Sequence, residues 1–307
     1  MEDGSRPWLL PNATKRSRAV AISRRSSSGF RTRLVTVRGV TVTFCEREVR
    51  ASEHPPVQRT ELGGGIAVPR IVLGTMAYGR NAGDDAGRVR VLQAAIDRGL
   101  CAIDTAPLYE LGRAEEIVGR ALVGRRDRAV VCSKVGLRWD GEHGEVLLDA
   151  VIGGVRRVVR KDSRPVSLRR DVEESLRRLR VERIDLCQIH HPDVHVPIAD
   201  AIGALMELRR EGKIGAIGVS NFDAAQLVVA RAAGQVVSHQ QPLSLLQQDI
   251  DRVAQTSALG IATLCYSPLA QGVLAGRGLG GALTEGDDRR WSIAFSPASL
   301  SAIGAAV

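Results

Sequence analysis

Residues 102–122 read AIDTAPLYELGRAEEIVGRAL, and this one stretch contains a strand, a loop and a helix. An apolar run ends on Asp104, and Tyr109 follows five residues further along the loop. The segment 113–122 then places apolar residues at steps of three and four, which predicts a helix with one buried face. A carboxylate at the end of a buried strand is costly unless it has a partner. Asp104 and Tyr109 are therefore candidates for a functional site.

The same pattern repeats along the chain from about residue 60. Seven short apolar runs predict parallel strands buried on both faces. They are RIVLG (70–74), LCAID (100–104), AVVCSK (129–134), IDLCQIH (184–190), IGAIGVS (214–220), VVSHQQ (236–241) and IATLCYS (261–267). Helical spacing is present in 88–99, 113–122, 167–179 and 198–213, and Gly99 and Gly212 suit the ends of two of these helices.

Repeated strand–helix units with short connections predict an α/β fold with a parallel sheet and right-handed crossovers. Seven strands over this length favour a (β/α)8 TIM barrel over a doubly wound sheet. The glycine-rich stretch GRGLGG (276–281) follows the seventh strand and has the wrong spacing for a dinucleotide-binding fingerprint.

Composition excludes several classes of protein. Hydrophobic residues make up 44% of the 307 and charged residues 25%, which is typical of a soluble globular protein. No apolar run is long enough to span a bilayer. Aromatic residues reach only 3%, too few for a surface that stacks single-stranded nucleic acid. The five cysteines are scattered and lack C-x-x-C spacing, so we expect free thiols and a cytoplasmic location.

The positive charge lies in the amino-terminal leader, residues 1–57. The first 50 residues hold eleven basic and four acidic side chains, which is +7 of the net charge of +9. We expect a disordered tail there, or upstream sequence wrongly joined to the gene; an organelle transit peptide is the alternative. No apolar segment follows SRRSSSGF, so a twin-arginine export signal is rejected.

Two local features interrupt that leader. Residues 33–44 (RLVTVRGVTVTF) alternate like a hairpin around Arg38 and Gly39, and EHPPVQ reads as a linker into a barrel domain at 58–307. The leader could also be read as a nucleic-acid arm. Because the remaining chain is close to neutral, we predict no nucleic-acid partner.

Polar residues end six of the seven predicted strands, from the second to the seventh. In a TIM barrel these ends meet at one mouth, where active sites are built. They comprise Asp104 with Tyr109 in its loop, Lys134, His190, Ser220 with Asn221, Gln241, and Tyr266 with Ser267.

A phenol beside a lysine is a recognisable proton donor. A Lys134 ammonium lowers the pKa of a nearby tyrosine, and a carboxylate holds that ammonium in place. His190 can hydrogen-bond the substrate oxygen. This combination would polarise a carbonyl and protonate its oxygen as a hydride arrives.

Longer motifs carry a family resemblance. They are GTMAYG, IDTAPLYELGRAEEIVGRAL, SKVGLRW, RRDVEESLRRLRVERIDLCQIHHPD, ALMELRREGKIGAIGVSNF and YSPLAQGVLAG. Over about residues 58–275 the chain resembles the aldo-keto reductase superfamily, and most of all its bacterial NADPH-dependent oxidoreductases.

The resemblance implies reduction of small aldehydes or ketones with NADPH. It assigns the catalytic roles to Asp104, Tyr109, Lys134 and His190, with Tyr109 as the acid. It places Ser220, Asn221 and Gln241 on the nicotinamide carboxamide and Tyr266 on the ring. Further cofactor contacts implied in this way are Gly74, Thr75 and Met76 beside the nicotinamide, and Ser267, Leu269 and Gly272 at the pyrophosphate.

The chain departs from the family pattern at HHPDVH (190–195). His190, His191, Asp193 and His195 permit an alternative metal cluster. Adjacent strand residues point to opposite faces, so we predict that His190 and His191 do not share an ion and that no metal is bound.

The carboxyl-terminal region and one insertion also differ. Family members continue to an eighth strand and a helix that binds the adenosine 2′-phosphate; here we expect both to be missing. We therefore expect an incomplete barrel that binds NADPH weakly and prefers it little over NADH. Residues 141–166 are longer and more basic than usual, and we predict that they form part of the substrate rim.

Two other functional readings remain. The same barrel could serve as a nucleotide-binding regulatory or scaffold protein, since fold alone does not establish turnover. It could also be an inactive truncated fragment. The sequence does not specify an oligomeric state.

Overall fold

A computed structural model describes residues 56–79, 84–152, 154–276, 295, 296, 299–301 and 303, and the backbone of three earlier strands. The strands are β1 (Ala21–Ser27), β2 (Phe30–Val37), β3 (Val40–Arg47), β4 (Arg59–Gly63), β5 (Ile66–Pro69), β6 (Leu73–Gly74), β7 (Ala102–Asp104), β8 (Val130–Val135), β9 (Leu137–Arg138), β10 (Val146–Ile152), β11 (Val155–Lys161), β12 (Ile184–Ile189), β13 (Ile214–Ser220), β14 (Val236–Pro242) and β15 (Ala262–Tyr266). The α-helices are α1 (Asp85–Asp97), α2 (Arg113–Ala121), α3 (Pro165–Leu179), α4 (Ile198–Arg210), α5 (Ala224–Ala233) and α6 (Ile250–Ala258).

Seven strands form the main sheet, in the order β15-β14-β13-β12-β8-β7-β6. The ladders from β6 to β14 are parallel. All seven predicted strands and all four predicted helices are confirmed, with bounds shifted by a few residues. Helices α5 and α6 complete the alternation of strands and helices along the chain, and they were not predicted. This is the architecture of a (β/α)8 barrel, of which the described residues supply seven strands.

Two apolar clusters lie on the two faces of the sheet. The larger one packs the helices onto the outer face and includes Leu92, Ile117 and Leu205. A smaller one fills the inner face near the starts of the strands, with Ala102 and Leu186 among its members. Both faces are therefore buried, which explains why the strands read as continuous apolar runs.

A hairpin of β4 and β5 covers this inner cluster. Leu62 and Val68 are buried against it. The turn needs glycine, because Gly63 and Gly64 have φ of 97° and 61° and lie where a Cβ would come within 3.3 Å of β13 and β14 side chains.

Strands β10 and β11 lie within the segment predicted as the substrate rim, and together with β9 they form a separate antiparallel sheet. Buried residues of this sheet and Leu108, which directly precedes Tyr109, make what we call the hairpin cluster: Leu108, Leu137, Leu147, Leu148 and Val159. The insertion thus forms a hairpin, which was not predicted from the sequence.

Strands β1, β2 and β3 pair as an antiparallel sheet inside the leader. The predicted hairpin is confirmed, with Val37 opposite Val40, and extends further than 33–44. Alternating β-branched residues favour this pairing, and a disordered leader over 1–57 stays a prediction. The rest of residues 1–55 lies outside the described part.

The chain divides into two compact units. One comprises 57–241 and 249–264; the other comprises 1–56, 242–248 and 265–307. A barrel domain over 58–307 stays a proposal. Among the described residues no helix is both long and apolar enough to cross a membrane. The four described cysteines are free thiols, and three of them are buried.

Candidate active site

Lys134 lies at the centre of the candidate site. Its Nζ donates to both carboxylate oxygens of Asp104, at 2.9 and 2.7 Å, and to the Thr105 carbonyl at 3.1 Å. The same Nζ lies 3.1 Å from Tyr109 Oη. Because the phenol oxygen accepts from Lys134, its own hydrogen remains available to another acceptor. Three of the four predicted catalytic residues are thus directly connected.

Neighbouring parallel strands bring these groups together. Asp104 ends β7 and Lys134 lies near the end of β8, so both side chains reach the carboxyl-terminal mouth. The Asp104 carbonyl accepts from the backbone and the hydroxyl of Thr75, each at 3.0 Å. Tyr109 follows in a short 3-10 turn, where Glu110 and Leu111 have positive φ of 50° and 55°. Such φ values are strained for residues other than glycine, which is common at functional sites.

His190 completes the group. It follows β12, and its backbone N–H donates to the Val135 carbonyl at 2.9 Å. Its ring stands edge-on to the Tyr109 ring, with centroids 6.0 Å apart and an interplanar angle of 82°. All four predicted catalytic side chains therefore lie in one place.

Burial and the neighbouring charges together set the pKa values of the site residues. Burial lowers the pKa of Lys134, but the Asp104 carboxylate and Tyr109 outweigh it, so the net pKa is raised and the ammonium persists. Burial also raises the pKa of Tyr109, and the lowering by Lys134 does not cancel it. The expected net lowering of the tyrosine pKa is therefore wrong for this structure, because desolvation of the phenolate is the larger effect.

His190 and His191 are both neutral at pH 7. Burial, the Lys134 ammonium and His191 hold the pKa of His190 well below its usual range. Burial and Lys161 lower the pKa of His191 to about 4. A neutral His190 can donate one hydrogen bond while its other nitrogen accepts.

The two histidines stack on each other, with centroids 5.4 Å apart and an interplanar angle of 24°. The prediction that they point to opposite faces is wrong, because β12 ends at Ile189 and strand alternation stops there. Asp193 accepts instead from the backbone of Ser163 and His195. Within the described residues, no three side chains of the metal-binding types are grouped for an ion.

Three predicted cofactor residues lie on the neighbouring strands. Ser220 is buried at the end of β13, and Asn221 follows with φ of 62°. The Asn221 amide donates to the His190 carbonyl at 2.9 Å and lies 3.2 Å from Nε2 of His191. Gln241 is 2% exposed, and its buried Nε2 has no hydrogen-bond partner among the described residues.

Three further predicted residues, Gly74, Thr75 and Met76, lie at the end of β6 and directly after it. Beside Gly74 a Cβ would meet nothing within 4 Å, so open space adjoins the backbone there. Thr75 is fully buried and bonded to Asp104, and Met76 is half exposed. The structure thus gives Thr75 a positioning role that the sequence did not indicate.

The remaining predicted cofactor residues belong to the other compact unit. Tyr266 ends β15, and its carbonyl accepts from the backbone of Leu243 at 3.2 Å. Ser267, Leu269 and Gly272 lie in consecutive tight turns, in which Ser267 and Leu269 each accept a backbone hydrogen bond.

Sequence reasoning missed the Thr105 carbonyl as a ligand of the lysine ammonium. It also missed the polar barrel interior, where Gln188 is level with Lys134 in the ladder and donates to Gln240 at 3.4 Å. The sequence did contain a signal, because Gln188 lies between apolar residues of β12 and Gln240 follows the polar residues Ser238 and His239 of β14.

The described strands thus gather Asp, Tyr, Lys and His at the carboxyl-terminal mouth of the parallel sheet. Comparison with known proteins identifies the family. The chain belongs to the Aldo/keto reductase family, whose family model matches residues 70–306.

Among curated relatives, aldo-keto reductase YhdN of Bacillus subtilis (strain 168) is 36% identical over 233 residues, covering 74% of this chain and 66% of the relative. The NADH-specific methylglyoxal reductase of Escherichia coli (strain K12) is 35% identical, covering 69% and 67% respectively. The chain therefore spans about two thirds of the length of these relatives.

Solved structures of known proteins are similar to this chain as well. A glycerol dehydrogenase from Gluconobacter oxydans is 37% identical with a TM-score of 0.70, covering 79% of this chain and 73% of that one. An aldo/keto reductase from Klebsiella pneumoniae, solved with NADP and acetate, is 32% identical with a TM-score of 0.57, covering 69% of each chain.

Proposed function

We propose that this protein reduces aldehydes or ketones to alcohols with NADPH, and that Tyr109 donates the proton. The observation that supports this most is the Lys134 ammonium, which contacts the Tyr109 phenol while it is bound to both oxygens of Asp104. An electrostatically fixed phenol of this kind serves as a general acid for a developing alkoxide.

Each residue has a separate task in the proposed reaction. A reduced nicotinamide, when bound, would supply the hydride that the carbonyl carbon accepts. Tyr109 transfers its proton to the carbonyl oxygen, which completes the alcohol and leaves a phenolate. Lys134 stabilises that phenolate, and Asp104 keeps the ammonium charged and in place. Neutral His190 donates a hydrogen bond that orients the carbonyl oxygen. Solvent then returns a proton to Tyr109.

The residues present fit a nicotinamide carboxamide. The buried Gln241 Nε2 lacks an acceptor among the described residues, and an unsatisfied buried donor of this kind is costly unless a ligand pairs with it. We propose that Gln241 binds the carboxamide together with Ser220 and Asn221. Gly74, Thr75 and Met76 would lie beside it. Tyr266, Ser267, Leu269 and Gly272 belong to the other compact unit, and the roles proposed for them at the ring and the pyrophosphate rest on the family motif alone.

Cofactor choice is a separate proposal. The Klebsiella pneumoniae structure contains NADP, whereas the Escherichia coli relative is named as NADH-specific. We propose NADPH for this chain.

Turnover distinguishes an enzyme from a nucleotide-binding scaffold. We expect the purified chain to oxidise NADPH only when an aldehyde or ketone is added, with the alcohol formed in equal amount. The measurement is absorbance at the nicotinamide band across a carbonyl panel, repeated with NADH. Stoichiometric NADPH binding without turnover on any carbonyl would contradict the proposed activity, and faster turnover with NADH would contradict the cofactor choice.

A further inference from the structure

Arg157 belongs to the inner face of the β10–β11 hairpin. The strand register places Leu148 opposite Val159 and Ala150 opposite Arg157, so these four side chains leave the hairpin on the same side. That side packs into the hairpin cluster, where Leu148 and Val159 are buried and Ala150 is partly buried. A guanidinium group thus shares an otherwise apolar face.

The other basic residues of β11 have partners. On the outer face, Arg156 forms a bidentate ion pair with Asp149, at 2.9 and 2.6 Å, with the arginine 78% exposed. Arg160 donates to a backbone carbonyl at 3.0 Å, and Lys161 pairs with a glutamate at 2.8 Å. The partners of these three side chains lie on β10 or directly before it, so their hydrogen bonds need no ligand.

Arg157 differs from them. Its Nε is buried and donates to no acceptor among the described residues. A buried donor that lacks an acceptor destabilises the fold, and an arginine has five N–H groups to satisfy. The planar guanidinium fork matches a carboxylate or a phosphate, which it binds through two parallel hydrogen bonds. The edge of the Arg157 guanidinium that carries the unpaired Nε–H is therefore suited to bind an anion.

The hairpin cluster connects this face to the proposed acid. Leu108 immediately precedes Tyr109, and Leu137 follows Lys134 by three residues; both are members of the cluster. The face that carries Arg157 therefore packs on the segments that present the phenol and the ammonium.

We propose that Arg157 binds the anionic group, a carboxylate or a phosphate, of a carbonyl substrate whose reacting oxygen meets Tyr109. This assignment of substrate class rests on the proposed function. According to this proposal, the β10–β11 hairpin determines substrate specificity. It selects charged aldehydes or ketones over neutral ones of the same shape.

Matched aldehyde pairs test this inference on the full chain. Benzaldehyde is compared with 4-carboxybenzaldehyde, and glyceraldehyde with glyceraldehyde 3-phosphate. Equilibrium binding is measured by calorimetry with NADP+ present, and kcat/KM is measured separately with NADPH. The variants are Arg157→Gln, Arg157→Lys and, as matched control, Arg156→Gln on the outer face.

Arg157→Gln should weaken binding of the anionic member of at least one pair about 10- to 100-fold, the range for a charge-assisted hydrogen bond. The neutral member should be unaffected, Arg157→Lys should retain part of the affinity, and Arg156→Gln should resemble the parent chain. The pair that responds identifies carboxylate or phosphate.

Unchanged binding of both anionic aldehydes in Arg157→Gln would overturn the inference, and so would an equal loss for charged and neutral aldehydes. Failure of the proposed function would look different. In that case the anionic aldehydes would still bind through Arg157, but no aldehyde would be reduced.

Discussion

Lys134 determines the charge balance of the candidate site. Burial disfavours its ammonium form, but Asp104 and Tyr109 together raise its pKa above the usual value. Removing one partner of such a buried pair leaves an uncompensated charge, which costs about 3–5 kcal/mol. Asp104 and Lys134 therefore depend on each other for folding as well as for the proposed chemistry.

His239 provides a prediction about pH at the same scale. It is fully buried on β14, and its Nδ1 lies 3.3 Å from the Thr256 hydroxyl. Because that hydroxyl donates to the Arg252 carbonyl at 2.7 Å, it accepts from Nδ1 of a neutral imidazole. Burial and the Arg252 charge lower the pKa of His239 from 6.5 to about 4, against a smaller opposing effect of Asp249.

The folded pKa lies below the unfolded value, so the stability contributed by neutral His239 is complete above pH 6.5 and is lost as the pH falls towards 4. Between pH 7.5 and pH 5 this loss is about 2 kcal/mol. In His239→Leu the free energy of unfolding should fall by that much less over the same interval. Urea denaturation at the two pH values measures it, and parallel losses in both proteins would contradict the burial argument.

At the scale of elements, close packing between helices positions the strands that end in the site. The carboxyl-terminal end of α3 crosses α2 at Gly119, where a Cβ would lie 2.6 and 2.7 Å from the carbonyl oxygens of Arg178 and Leu179. Nearby, Arg178 donates to the buried Glu115 carboxylate at 2.7 Å, and Glu115 accepts from Ser133 on β8 at 2.7 Å. The contact thus connects two helices to the strand that carries Lys134.

Matched glycine substitutions test this crossing. Gly119→Ala should destabilise the protein by about 1–3 kcal/mol, because the backbone carbonyls must move. Gly203→Ala, in the interior of α4 with nothing within 4 Å of its Cβ position, should stabilise by about 0.5–1 kcal/mol through helix propensity. Thermal and urea unfolding of both variants measure the difference. Stabilisation by both would show that the crossing is looser than described.

Elements differ in how far sequence could predict them. The seven main strands were predictable, because burial on both faces produces continuous apolar runs. Helix α5, AAQLVVARAA, has apolar residues on all sides, so its periodicity is weak. The β10–β11 hairpin, VLLDAVI and VRRVVRK, lacks a regular alternation of apolar and polar residues, and its packing on Leu108 depends on contacts distant in sequence.

At the scale of the whole molecule, the topology of the barrel was enough to predict which residues are grouped in the candidate site. Parallel strands end at one mouth, so Asp104, Lys134 and His190 could be grouped before any distance was known. Two properties could not be predicted in this way. The pKa of Tyr109 depends on how completely the phenol is buried, and the stacking of His191 on His190 depends on the residue at which β12 ends. The lack of a partner for Arg157 Nε among the described residues likewise depends on the three-dimensional contacts around the hairpin.

The central claim is that Tyr109 protonates the substrate oxygen, and replacing its hydroxyl tests that claim most directly. Tyr109→Phe removes the acid while retaining the ring, and Tyr78→Phe is the matched control on a half-buried tyrosine that packs elsewhere, near Arg88. Single-turnover NADPH oxidation with a reactive aldehyde, measured beside NADPH affinity in the same samples, gives the result. We expect Tyr109→Phe to slow hydride transfer about 10²- to 10⁴-fold with cofactor affinity preserved, and Tyr78→Phe to react at the parent rate. A Tyr109→Phe variant that transfers hydride within a few-fold of the parent rate would contradict the account.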